Sequence, residues 1–268
     1  MKALPSAPFE YCMIGTQHLH WHTRVVNKHA DVSFSRINFH AWHRTVEEIR
    51  MTLAVLYTFR RCPYAMRARL GLLLAQCNVE VREITLKAKP PQMLAASSKG
   101  TVPVLVLANG EVIAESLEIM RWALTQADPL DLLCQQNPAI EDKMAQLIAK
   151  NDQQFKPWLD RYKYADRYPE QTQAYYYQQA SHFLLQLETC LGQHPFLVAD
   201  TPRLADYAIV PFVRQFAAVD LKRALSDDFP RVAAWLNRLI SSDIFIRAME
   251  KYVIWDASHS PICLLGDV

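Results

Sequence analysis

One of the six cysteines stands where it would react. Cys62 is preceded by Arg60 and Arg61 and followed by Pro63, and the apolar run from Leu53 to Tyr57 before them reads as a strand buried on both faces. Proline suits the first turn of a helix, whose N–H groups have no intrahelical partner. Pro63 therefore reads as the first helical residue, Cys62 as the N-cap, and the helix runs to about Gln76. The positive end of the helix and the two arginines favour a thiolate, so the pattern predicts an acidic nucleophile rather than an inert core thiol. A Cys-x-x-Cys pair would need cysteine at position 65, where Ala65 stands. The chemistry is that of a single thiol, with any second sulfur supplied by the substrate.

The elements that must position this thiol are legible around it. Val79–Leu86 alternates and reads as a second strand, parallel to the first across the intervening helix. Val102–Leu107 and Glu111–Ala114 flank Asn109-Gly110, a dipeptide suited to a type I′ hairpin. Pro103 falls at a strand start; a cis Val102–Pro103 bond would leave the Val102 backbone facing outward, free to pair with an extended peptide. Ser116 reads as the N-cap of a helix that presents Leu117, Met120 and Leu124. With Glu115 beside it, this helix start would hold the carboxylate and ammonium of an α-amino acid.

In this order the segment is thioredoxin-like, and it resembles the N-terminal domain of the cytosolic glutathione S-transferases, most of all the cysteine-type, omega-like classes. The residues that carry the resemblance are Cys62-Pro63-Tyr64, the Lys99–Pro103 loop and the pair Glu115-Ser116. It implies that Cys62 is catalytic and that glutathione is bound by Tyr64, Lys89, Val102, Pro103, Glu115 and Ser116. Val102 would pair with the cysteinyl backbone of the tripeptide, and Glu115 and Ser116 would grip its γ-glutamyl end.

The rest of the chain fits this frame. A length of 268 residues with 51% hydrophobic content supports a sizeable core, and a net charge of +2 argues against nucleic acid or an anionic membrane as the main partner. Scattered cysteines and the absence of an apolar secretory h-region point to a reduced, cytoplasmic setting. Residues 1–50 hold six of the nine histidines. His18, His20 and His22 alternate as three imidazoles on one side of a strand would, but no carboxylate lies among them, and no metal is expected. The abrupt change in composition at Met51 reads as the native start, with residues 1–50 an extension that is disordered or foreign to the native protein.

Residues 51–126 then form the thioredoxin-like, glutathione-binding domain, 127–136 a linker, 137–255 an all-helical domain, and 256–268 a tail. Asn137-Pro138 opens the first helix of the second domain, and Ile140, Met144, Leu147 and Ile148 keep helical spacing. Later helices carry Leu184, Leu187 and Leu191, then Ile209, Phe212, Val213 and Phe216, then Val232, Trp235, Leu236 and Leu239. Where the resembling family caps the third helix with Ser or Thr, Arg203 stands, so Thr201 is expected to cap one turn early, and Pro211 to kink that helix. By resemblance, the second substrate would meet Trp158, Arg161 and Tyr162.

The fold class expected is thus α/β plus all-α. The expected function is a glutathione-dependent transferase, a homodimer by resemblance, working by thiol transfer or deglutathionylation through a Cys62–glutathione mixed disulfide. Its partners would be glutathione as co-substrate and a small electrophile or disulfide. The alternatives are a noncatalytic binding protein on the same scaffold, of the type associated with RNA polymerase, and glutathione conjugation with Cys62 as a bystander.

Overall fold

A computed structural model describes residues 53–266 apart from Lys222, so the expectations for residues 1–50, His18, His20 and His22 included, lie outside the described residues. Strand β1 (Ala54–Thr58) lies between β2 (Val79–Glu83) and β3 (Val104–Val106), and β4 (Val112–Ile113) completes the order β2-β1-β3-β4. β1 and β2 run parallel, with Leu56 opposite Val81; β3 is antiparallel to both β1 and β4, with Leu105 opposite Leu56 and Ile113. Helix α1 (Pro63–Leu74) makes the crossover from β1 to β2, and α2 (Pro91–Ala96) precedes β3. Alternation sends Leu56 and Leu105 into the main core, while Tyr57 and Val104 join a smaller cluster with Ile84 and Met93. The first strand is therefore covered on both faces, as its unbroken apolar run implies.

The hairpin differs from expectation. Only Gly110 of the Asn109-Gly110 pair has positive φ, at 86°. Gly110 N donates to Leu107 O, Leu107 N to Glu111 O, and Glu111 N to Asn109 Oδ1. The loop is three residues long, a turn of type I sense closed by glycine in the left-handed region, in place of the two-residue type I′ turn. The extra residue shortens the paired segments on both sides.

Helix α3 (Ser116–Gln126) lies directly on α1. A Cβ added at Gly71 would sit 2.6 Å from Met120 Cα, a backbone atom that cannot swing aside. The two helices approach this closely because residue 71 has no side chain.

The second half is helical. Helix α4 (Pro138–Lys150) passes through a π turn at Asn151–Phe155 into α5 (Lys156–Lys163). Next come α6 (Gln173–Cys190), α7 (Leu204–Ala217), the short α8 (Leu225–Asp228), α9 (Pro230–Ile240) and α10 (Asp243–Ala248). Asn137 caps α4, its side chain accepting from Ile140 N at 3.3 Å. Thr201 does not cap α7. Arg203 occupies the N-cap, and its N–H and carbonyl pair with the carboxylate and N–H of Asp206, at 2.8 and 3.0 Å. Fully buried Asp206 also accepts from Leu197 N and Trp235 Nε1, tying the helix start to the preceding loop and to α9. A cap side chain at position 203 is dispensable because the acid three residues on serves three donors. Pro211 lies within α7.

The tail is also structural. Ile262 O accepts from Val81 N at 2.7 Å, Val79 O from Leu264 N at 3.0 Å, and Glu83 O from Trp255 N at 2.8 Å. Residues 255–264 thus occupy the free edge of β2, which would otherwise expose a row of unpaired backbone groups. The Trp255 ring lies under the Arg82 guanidinium, 4.5 Å from centroid to charge.

The tight crossing of α1 and α3 gives a direct test. Gly71→Ala should cost about 1–3 kcal/mol, as overpacking of a filled core does. Urea unfolding measures it, and an unchanged midpoint contradicts this packing.

Candidate functional site

The turn from β1 into α1 closes when Cys62 N donates to Phe59 O at 3.0 Å. Cys62 then takes extended backbone (φ −78°, ψ 123°) at the N-cap, with Pro63 first in the helix. The thiol is half-buried and donates to Val102 O, 3.7 Å away. Val102 itself precedes β3, is joined to Pro103 by a cis peptide bond and lies outside the ladder. Sequence-predicted Cys62, Val102 and Pro103 are therefore neighbours.

The electrostatics of this thiol correct the sequence reading. Burial pushes Cys62 above its ordinary value and outweighs the Tyr64 and Ala65 N–H groups and the charges of Arg69 and Lys156, which pull it down. Arg60 and Arg61 are not the cations that act on it. Arg61 is exposed and stacks on Phe59, with 5.5 Å between charge and ring. Arg60 is tied by its backbone, whose N–H donates to Glu83 Oε1 at 2.7 Å. Adjacency in sequence brought the two arginines near the cysteine, but Arg61 turns onto Phe59, and the Arg60 charge acts on Arg69, Glu83 and Arg214.

The cap falls one residue earlier than expected, at Glu115 in place of Ser116. Glu115 is the N-cap, its carbonyl accepting from Ile119 N at 2.9 Å, and Ser116 is the first residue of α3. The exposed Glu115 carboxylate pairs with Lys99, while buried Ser116 accepts from Arg67 Nη1 at 3.5 Å. Arginine has no acceptor, so the serine proton stays free to be donated to an anion. The exposed amine of Lys89 reaches Gly100: a Cβ there would lie 3.5 Å from Lys89 Nζ, two residues before Val102.

Across from the thiol stands the helical half. The Tyr64 ring meets Phe212 of α7 edge-on at 4.9 Å, and Lys156 Nζ of α5 lies 5.6 Å from the Tyr64 centroid. Burial and the nearby Asp152 charge push the Tyr64 phenol up to about 12. Lys156 also forms an ion pair with Asp160, one turn further along α5.

The residues expected to meet a second substrate pack mainly on aromatic neighbours in the helical half. Trp158 packs on Tyr175 and Tyr176 of α6, Arg161 lies over the rings of Trp158 and Tyr168, and buried Tyr162 packs on Tyr177 and Phe216. Trp158 and Arg161 line a cavity of about 410 Å³ between α5 and α6, with Gln154 and His182. Helical periodicity sets these directions: Lys156 and Asp160, four apart, share one face, with Lys156 near Tyr64, and positions 158 and 161 lie on another. The neighbouring tyrosines 175 to 177 pack within the helical layer.

Sequence reasoning did not single out Lys156, Arg67, Asp152 or Arg69. Arg67 donates to Ala208 O at 2.8 Å and forks onto both oxygens of Asp152 at 2.8 and 2.6 Å. Arg69 donates to Ala248 O, Thr58 Oγ1 and Arg60 O at 2.7, 2.7 and 2.8 Å. Both side chains are fully buried. The available signal was a pair of charges in a helix otherwise apolar on every side.

Chemically, the arrangement sets a thiol beside the Val102 carbonyl and the cis Val102–Pro103 bond, and supplies a helix N-terminus that carries a hydroxyl and a carboxylate. The free thiol should alkylate slowly at neutral pH, because its raised value leaves little thiolate there. Iodoacetamide labelling of Cys62, followed by mass spectrometry across pH, should rise with a midpoint above that of an ordinary exposed cysteine. A midpoint below about 8 contradicts the burial argument.

Comparison with known proteins places this geometry. Residues 56–131 match the family model described as glutathione S-transferase, N-terminal domain, and residues 156–238 match glutathione S-transferase, C-terminal domain. The chain is 25% identical to mouse glutathione S-transferase omega-1 over 185 residues, 68% of this chain and 74% of that protein. Its fold is similar to a glutathione transferase family member from Pseudomonas fluorescens, solved with two glutathione bound (TM-score 0.63, 19% identity, 75% of this chain and 93% of that one). It is also similar to an epsilon-class glutathione S-transferase from the housefly Musca domestica (TM-score 0.63, 22% identity, 73% and 91%).

Proposed function

Because the chain belongs to the glutathione S-transferase family, we propose that it is a cysteine-type, omega-like transferase that moves glutathione through a mixed disulfide on Cys62. The observation that carries this reading is the placement of Cys62 Sγ at the start of α1, 3.7 Å from the carbonyl of Val102 and beside the cis Val102–Pro103 bond. Glutathione enters as co-substrate. Its cysteinyl backbone pairs with Val102 and Pro103 shapes the turn beneath it. Its γ-glutamyl carboxylate accepts from Ser116, its ammonium meets Glu115, and Lys89 and Tyr64 border the site. The similarity to omega-1 and the glutathione in the Pseudomonas structure support the same assignment.

In the first step the Cys62 thiolate attacks the glutathionyl sulfur of a mixed disulfide. The S–S bond breaks, the partner thiol leaves with the electron pair and takes up a proton, and glutathione is now joined to Cys62. A second glutathione thiolate then attacks the glutathione sulfur of that adduct, releasing oxidised glutathione and restoring the Cys62 thiolate. The thiol of the free protein donates to Val102 O, so a ligand N–H that takes this oxygen displaces the S–H and favours its ionisation. Lys156 and Arg69 supply the nearby positive charge. The reaction belongs in a reducing compartment, where a single thiol turns over with the glutathione pool, and a homodimer is part of the same reading.

Incubation of the full chain with oxidised glutathione should give an adduct on Cys62 in preference to Cys77, Cys134, Cys190 and Cys263, read by peptide mass spectrometry. Cys62→Ser should lower glutathione-dependent disulfide reduction by at least about a hundredfold, since it removes the nucleophile. Undiminished reduction in that variant contradicts the mechanism. Conjugating activity retained by the variant, with disulfide reduction absent from the native protein, favours Cys62 as a bystander.

A further inference from the structure

The turn that presents Cys62 has two central residues, and Arg60 is held from both sides. Its N–H donates to Glu83 Oε1 at 2.7 Å, and its carbonyl accepts from Arg69 Nη2 at 2.8 Å. The two clamping side chains face each other, with Arg69 Nη1 3.9 Å from Glu83 Oε2. Both are buried, with 0% and 6% of their side-chain surface exposed. Glu83 Oε2 has no hydrogen-bond partner, so its interaction with Arg69 is charge alone. Arg69 directs its remaining donors to Thr58 Oγ1 at the end of β1 and to Ala248 O at the end of α10. A buried, imperfectly paired ion pair is an expensive way to stabilise a turn, and apolar side chains of similar volume would often do as well.

We propose that Arg69 and Glu83 are positioning residues for Cys62, fixing the Arg60 backbone two residues before the thiol and setting by their opposed charges the field in which it ionises. The inference rests on the reading of Cys62 as the reacting group. Around the thiol stand Arg69 on its own helix, Lys156 on α5 and the Tyr64 phenol; Arg69 in turn faces Glu83, Tyr252 and Arg60, and Glu83 faces Arg60 and Arg69. Removing either charge of the pair must therefore move the thiol in a direction given by its sign. Loss of the cation makes the thiolate harder to form; loss of the anion leaves the cation uncompensated and makes the thiolate easier to form. General loosening of the turn would move both variants the same way.

The test uses the full chain and the pH profile of iodoacetamide alkylation at Cys62, in the native protein, Arg69→Met and Glu83→Gln. Arg69→Met should raise the midpoint and slow labelling at pH 8 by about threefold or more, and Glu83→Gln should lower the midpoint and speed labelling by a similar factor. Shifts in the same direction, or no shift in either, overturn the proposal. If Arg69→Met does not fold, Glu83→Gln decides alone: a lowered midpoint supports the inference, and an unchanged or raised one overturns it. Oxidised glutathione separates this from the functional reading. A native protein that forms no adduct on Cys62 refutes the mixed-disulfide function, whereas the alkylation shifts judge the clamp whatever that outcome.

Discussion

Two guanidinium groups inside one helix hold this molecule in register. Arg67 and Arg69 both project from α1, both are fully buried, and their donors reach six other segments. Arg67 ties α1 to α7 and to the π turn at Asp152; Arg69 ties it to β1, to the turn before Cys62 and to the end of α10. Burying a cation is tolerable only when its donors are satisfied, so these side chains act as constraints: each partner must sit where a guanidinium can reach it. The helix that begins at Cys62 is therefore the one that fixes the sheet against the helical half.

The site inherits its character from that constraint. Packing α1 between the two halves buries Cys62 enough to raise its pKa, against the pull of the helix N-terminus. The same packing brings Lys156 and Phe212 of the helical half against Tyr64, two residues after the thiol. Burial and the contact with Val102 O both favour the thiol over the thiolate. On the proposed function, what occupies the Val102 carbonyl governs the reactivity of the thiol, and binding of an extended ligand is linked to nucleophilicity.

Much of this could be read in the chain, and the parts that could not share a cause. Strand–Cys-Pro–helix, the alternating second strand, Val102-Pro103 and the Glu115-Ser116 pair are local patterns, and the structure brings Cys62, Val102 and Pro103 together. The apolar spacings of Met144, Leu147 and Ile148 and of Trp235, Leu236 and Leu239 likewise fall on buried faces. What sequence misplaced depends on direction or on distant contact. Arg60 and Arg61 adjoin Cys62, yet Arg69, seven positions on, and Lys156 carry the charge that acts on it. Trp158 and Arg161 looked apt for a flat substrate, but the helical repeat turns them toward α6. The tail that pairs with β2 carries no strand signal, because its order comes from the edge it covers.

The account turns on whether the groove between Val102 and the start of α3 receives the tripeptide. Amide spectra of the nitrogen-15-labelled protein, recorded while S-methylglutathione is added, address this without any sulfur exchange. The account predicts that the amides of Val102, Glu115 and Ser116 shift together and saturate with a single affinity, while those of Trp158 and Arg161 stay in place. Shifts confined to α5 and α6, or none at saturating ligand, would contradict it.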